Sequence, residues 1–148
     1  MSSTPRCLID TNVFLVGALD LRYGKSSEEA EIITLLIERK IRTIASLRLL
    51  EEYHEAAKRI MGKDFAGWLR HLILDISMPV FASDELCKEL EPKFSGSIPQ
   101  EDLRHFVSCV LAEADFLISN NREFLKKSKN NYFKCLTPEE FLSKTKLK

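Results

Sequence analysis

Two hydrophobic rhythms alternate along the chain. Short continuous apolar runs end in polar or turn residues, and between them lie longer stretches whose apolar residues return every three or four positions. The first rhythm marks buried strands, the second helices with one face on a core. The apolar run before Asp10 makes Arg6–Ile9 the first predicted strand. Residues 27–38 read as a helix with Ile32, Ile33, Leu36 and Ile37 on one face, and residues 40–45 as the second strand. Ser46 suits an N-cap, and a long helix follows it to about Met61. Residues 64–74 form another helix through Phe65, Trp68, Leu69 and Leu72; residues 76–81 form a third strand; Ser83 opens a short helix to about Leu90. Residues 92–99, with Gly96 and two prolines, are the loosest stretch. A helix over 101–114, a strand at Phe116–Ile118 and a fifth strand over 132–136 follow. Thr137, Pro138 and Glu140 then supply an N-cap, an N1 proline and a capping box for a last helix. Strands alternating with helices predict an α/β fold, a parallel sheet covered on both faces.

Length and composition narrow this picture. The 148 residues suggest one domain spanning 1–148, and an apolar content of 45% suffices for a real core. The longest apolar runs fall well short of the roughly 20 residues that cross a bilayer. The first residues lead straight into strand one and leave no room for a signal peptide. The expectation is a soluble, cytoplasmic protein with no membrane partner. Four cysteines, Cys7, Cys87, Cys109 and Cys135, contain no C-x-x-C pair, which excludes zinc ribbons and thioredoxin-like motifs. They read as small buried hydrophobes, with a disulfide left open.

Charge is balanced, 22 basic against 22 acidic residues, which by itself does not favour a polyanion as partner. The distribution is less even. Residues 122–148 hold eight Lys or Arg and three Glu, and Lys126-Lys127-Ser128-Lys129 sits in the middle of them. That cluster reads either as a solvated tail or as a weak patch for an RNA backbone.

The candidate chemistry lies in acids at strand and helix ends. Asp10 follows a buried strand, where open α/β sheets place their sites. An acid there is costly unless something cationic pairs with it. In the helix after strand two, the stripe of Leu49, Tyr53, Ala56, Ala57 and Ile60 leaves Glu51 and Glu55 pointing away. Glu52 borders the stripe and is the acid placed to lean inward. Asp102 falls in the first turn of its helix, where it suits the helix dipole. His105 is one turn further on. It is open to three roles: orienting Asp102, holding a substrate, or making a simple structural hydrogen bond. After strand four come Ser119, Asn120, Asn121, Arg122 and Glu123, which also read as a turn. Three converging carboxylates at ~5 Å and an effective dielectric of ~20 would repel by roughly 3 kcal/mol per pair. Such a cluster needs bound cations or raised pKa values. All-oxygen donors favour Mg²⁺ or Mn²⁺, and carboxylate-held Mg²⁺ sites commonly serve phosphodiester chemistry. A weaker candidate is a transition-metal site of Asp102, His105 and Cys109 on one helix face.

Taken in order, these segments resemble the PIN domain family of nucleases over nearly the whole chain. The strand ending in Asp10-Thr11-Asn12 is similar to the family's opening motif. Ser46 followed six residues later by Glu52 is similar to its second. Asp102 and His105, then Ala114-Asp115 and Ile118-Ser119, resemble its third block. Cys135 to Leu142 resembles its usual ending. The resemblance implies a three-layer α/β/α sandwich with a five-stranded parallel sheet and a metal-dependent endoribonuclease, as in VapC-like toxins or RNA-processing enzymes. It makes Asp10, Glu52 and Asp102 ligands of Mg²⁺ or Mn²⁺, and Asp115 a non-catalytic position. Where many members carry a fourth acid this chain has Asn121, with Glu123 as a nearby substitute, so one ion is expected to bind firmly and a second loosely. Asn12, Ser119 and His105 are expected to orient ligands or phosphate, and Arg122, Lys126, Lys127 and Lys129 to hold RNA. A toxin-like member implies an antitoxin protein and a homodimer. The alternative is a catalytically weakened PIN-like module that binds RNA or protein.

Overall fold

The computed structural model describes residues 4–146. Five strands, β1 (Arg6–Ile9), β2 (Arg42–Ala45), β3 (Val80–Phe81), β4 (Phe116–Ile118) and β5 (Lys134–Leu136), form one parallel sheet in the order β3-β2-β1-β4-β5. In β1, the consecutive residues Cys7, Leu8 and Ile9 are all fully buried. Successive strand side chains point to opposite faces, so helices cover both sides, as the continuous apolar run predicts. The result is the expected three-layer arrangement. Cys7, Cys87, Cys109 and Cys135 are all free thiols. No helix among the described residues is long and apolar enough to cross a membrane.

The helices are α1 (Thr11–Arg22), α2 (Glu28–Ile37), α3 (Leu47–Met61), α4 (Lys63–His71), α5 (Asp84–Phe94), α6 (Gln100–Leu111), α7 (Arg122–Lys127) and α8 (Pro138–Thr145). Two of these have no counterpart in the hydrophobic pattern. α1 is apolar around most of its circumference, burying Val13, Phe14, Leu15, Gly17 and Ala18, so no polar face sets a period. α7 is only six residues long and sits where the side chains suit a turn.

Other boundaries moved for local reasons. The predicted strand over 76–81 shrinks to β3 because α4 runs on as a π-helical turn, Leu72–Ile76, closed by Ser77 Oγ donating to the Ile73 carbonyl at 2.7 Å. Met78 then takes a left-handed φ of 49°, and Pro79 lacks an amide for a ladder. α5 passes through Pro92 instead of stopping before it. The proline lies in the last turn, where few helical bonds remain to be lost. α6 ends at Leu111 because Glu113 turns left-handed at φ 54°. The capping box of α8 forms as predicted, with Thr137 Oγ1 accepting from Glu140 N at 3.2 Å and Glu140 Oε1 from Thr137 N at 2.9 Å.

Gly17 sets how closely α1 and α2 cross. A Cβ built there would lie 2.5 Å from the Glu29 carbonyl oxygen and 2.7 Å from Ile33 Cγ1. Only a residue without a side chain admits that approach.

Candidate active site

The strand order fixes where a site belongs. From β1 the chain winds outward through β2 to β3, then returns to the other side of β1 with β4 and β5. The winding direction therefore reverses between β1 and β4, and the crevice beyond their carboxyl ends is the switch point at which open sheets bind ligands. Asp10 and Ser119 are the first residues past those two strands.

They bond to each other. The Asp10 amide extends the ladder to the Ile118 carbonyl at 2.9 Å. Its Oδ1 caps α1 by accepting from Thr11 N at 2.9 Å, and its Oδ2 accepts from Ser119 Oγ at 2.7 Å. The fully buried Ser119 hydroxyl accepts in turn from Asn121 N at 3.0 Å. The carboxylate is thus held at both oxygens while the side chain stays partly open to solvent. Each oxygen keeps acceptor capacity, because a carboxylate offers about four lone-pair sites.

Glu52 comes from α3, which begins where Ser46 Oγ accepts from Leu49 N at 3.0 Å. It is exposed and its side chain makes no hydrogen bond or ion pair among the described residues. It faces a small crevice shared with Ser46, Leu49, Arg104, His105 and Ser108, which brings α3 and α6 together. Asp102, in the first turn of α6, has its carboxyl raised above the ordinary range. Burial is the main cause, Glu101 and Asp10 add to it, and His105 and Lys127 oppose it. Tyr53, next to Glu52, feels both remaining acids: burial first, then Asp10 and Glu52, push its phenol well up.

His105 stands edge-on to Phe124, at 6.1 Å between centroids and 79°. Its Nε2 is buried and meets no hydrogen-bond partner among the described residues, so the simple structural bond open to it from sequence is not made at that atom. Asn12 is exposed in the first turn of α1. Asn121 spends its carboxamide oxygen on a helix cap, accepting from Phe124 N at 3.1 Å. Glu123 is exposed and lies 3.5 Å from Lys127 along α7. Arg122, Lys126 and Lys129 are exposed. Asp115 is structural, with Oδ2 accepting from Arg6 N at 2.9 Å.

The donor set suits a hard divalent cation in kind: carboxylate oxygens beside an orphaned ring nitrogen. In placement, no three His, Cys, Asp or Glu among the described residues form a group that encloses an ion. Asp102, His105 and Cys109 do not form a transition-metal site either, because Cys109 is fully buried in the core and burial pushes its thiol well up. A cavity of about 780 Å³ between α2, the α1–α2 loop and α8 is lined by none of the candidate residues.

Sequence reasoning missed Arg104. It is 13% exposed and reaches from α6 to α5, with Nε 2.7 Å from Glu91 Oε2 and Nη1 3.2 Å from Asp84 Oδ1. Its partners lie on another helix, so no spacing along the chain announces them.

The PIN domain profile matches residues 6–123, from β1 into the first turn of α7. No curated protein and no solved structure matches the chain. With the five-stranded parallel sheet and its order, that match places the chain in the PIN domain family, a nuclease-type fold.

Proposed function

We propose that the protein, acting as one domain over its whole length, is a Mg²⁺- or Mn²⁺-dependent endoribonuclease. The observation that carries this reading is the Asp10 carboxylate, held at both oxygens at the switch point of the sheet. Asp10, Glu52 and Asp102 are the residues that would hold the ion. Once bound, such an ion supplies Lewis-acid polarisation of a phosphodiester and a more acidic attacking water. The chain's own contribution is orientation. Ser119 and the Thr11 amide fix the Asp10 oxygens, and Asp102 sits in the positive field of a helix N-terminus. Lys126, Lys127 and Lys129 on and after α7 supply charge for an RNA backbone leaving the crevice. Asn121 is neutral and its oxygen is committed to the α7 cap, which supports one firm ion and a loose second. The test is cleavage of single-stranded RNA with Mn²⁺, with and without chelator, by wild type and Asp10→Asn. Activity that survives both changes refutes the proposal. An antitoxin partner, a homodimer and a cytoplasmic place of action belong to the proposal by family analogy alone.

A second reading is a catalytically weakened module that binds RNA or protein. Asn121 in place of an acid, and the lack of a three-acid enclosure among the described residues, favour it. Calorimetry separates the two. RNA binding without Mn²⁺ affinity below the millimolar range would select the module.

A further inference from the structure

One uncharged side chain joins two elements of the proposed centre. Tyr53 follows Glu52 on α3. Its ring is fully buried and packs on Phe14 of α1, with centroids 4.8 Å apart and planes tilted by 41°. Its hydroxyl donates to the carbonyl oxygen of Ile9, the residue before Asp10. The position of that bond is telling. β1 stays in register with β4 as far as Ile9 and Ile118, but with β2 only at Arg6↔Arg42 and Cys7↔Thr43. β2 itself runs on to Ala45 against β3 before the chain turns at Ser46 into α3. The phenol therefore reaches a carbonyl beyond the β1–β2 register. Ile9 is fully buried, so water does not stand in for the phenol.

We propose that Tyr53 is a positioning residue: its bond to the Ile9 carbonyl fixes the peptide that carries Asp10 and sets the distance from that peptide to Glu52. The inference rests on reading Asp10 and Glu52 as ligands of a divalent ion. The Glu52 side chain makes no hydrogen bond or ion pair among the described residues, so it is located only through its helix. Tyr53 pins that turn of the helix to β1. Groups behind a metal's ligands matter for affinity even without touching the ion.

The experiment is Mn²⁺ titration by calorimetry into three proteins: wild type, Tyr53→Phe and Leu142→Ala. The phenylalanine keeps the ring against Phe14 and removes only the hydroxyl. Leu142, on α8, is a buried control away from the candidate residues. Tyr53→Phe is expected to bind Mn²⁺ about tenfold more weakly, and Leu142→Ala to bind like wild type despite its lower melting temperature. Equal affinity in Tyr53→Phe and wild type overturns the inference. So does equal weakening in both variants, which would make the effect one of stability. Wild type that binds no Mn²⁺ removes the metal reading itself, a separate failure. Hydrogen exchange on wild type covers the case in which Tyr53→Phe does not fold. Mg²⁺ is expected to protect the amides at the end of β1 and around Glu52 together, and protection of one without the other overturns the coupling.

Discussion

Replacing Ser119 by alanine removes one hydroxyl that works in two directions. It donates to Asp10 Oδ2 at 2.7 Å and accepts from Asn121 N at 3.0 Å, and it is fully buried. A hydrogen bond to a charged group contributes ~1.5–3 kcal/mol and a neutral one ~0.5–1.5 kcal/mol. Asp10 is partly exposed and Asn121 exposed, so water recovers part of both. The expected net cost of Ser119→Ala is about 2 kcal/mol. For a chain of this size each kcal/mol moves Tm by about 2–4 °C, so the variant should melt about 4–8 °C lower. The carboxylate keeps its Thr11 contact at Oδ1 but can swing at Oδ2. Mn²⁺ affinity should therefore fall about 10–100-fold, the usual effect of losing a group that orients a ligand. Calorimetry reads both quantities, by thermal scan and by titration. A variant that loses stability yet binds Mn²⁺ like wild type would reduce Ser119 to a loop anchor and refute the argument.

Three further outcomes follow from other residues. Gly17→Ala should cost at least ~1–3 kcal/mol by overpacking, because the added carbon meets the Glu29 carbonyl at 2.5 Å; a Tm equal to wild type would show that α1 and α2 separate freely. Asp102 titrates higher in the fold than its ordinary 3.8, so the folded state holds that proton more tightly and loses stability as pH rises through this range. Asp102→Asn should thus raise Tm at pH 7, with a gain that shrinks as pH falls to 4; an equal gain at both values refutes the assignment. Arg104→Met strands Asp84 and Glu91 without their shared cation and should cost about 1–3 kcal/mol by denaturant unfolding, the usual penalty for an unmet polar group; no cost would mean that solvent replaces the guanidinium.

What the sequence revealed depended on how local each cause was. β1 and β4 end where the apolar runs do, since Asp10 and Ser119 are polar stops at buried strand ends. α8 was legible because its cap is built from Thr137, Pro138 and Glu140 within four residues. α1 was not, because burial on most of its sides erases the polar face that a period needs. At the site, the position of Asp10 could be argued from its neighbours along the chain, whereas Glu52, expected to lean inward, is as exposed as Glu51 and Glu55. The roles of Tyr53 and Arg104 could not be argued that way, since Tyr53 bonds 44 residues away and Arg104 reaches 13 and 20 residues back. Asn121 was legible as a turn residue, and its use as the α7 cap is that same property expressed in a short helix.

The bond between Ser119 and Asp10 spans 109 residues of chain. During synthesis, β1 emerges early and can pair with β2, but its β4 side stays open until residue 118 has been made. Until then Asp10 has neither the Ile118 carbonyl nor the Ser119 hydroxyl to hold it. Domains are translated from the N-terminus at about 5–20 residues per second, so the acid waits several seconds before its partner exists. A nascent or truncated chain that ends before β4 carries Asp10 without the two partners that hold it.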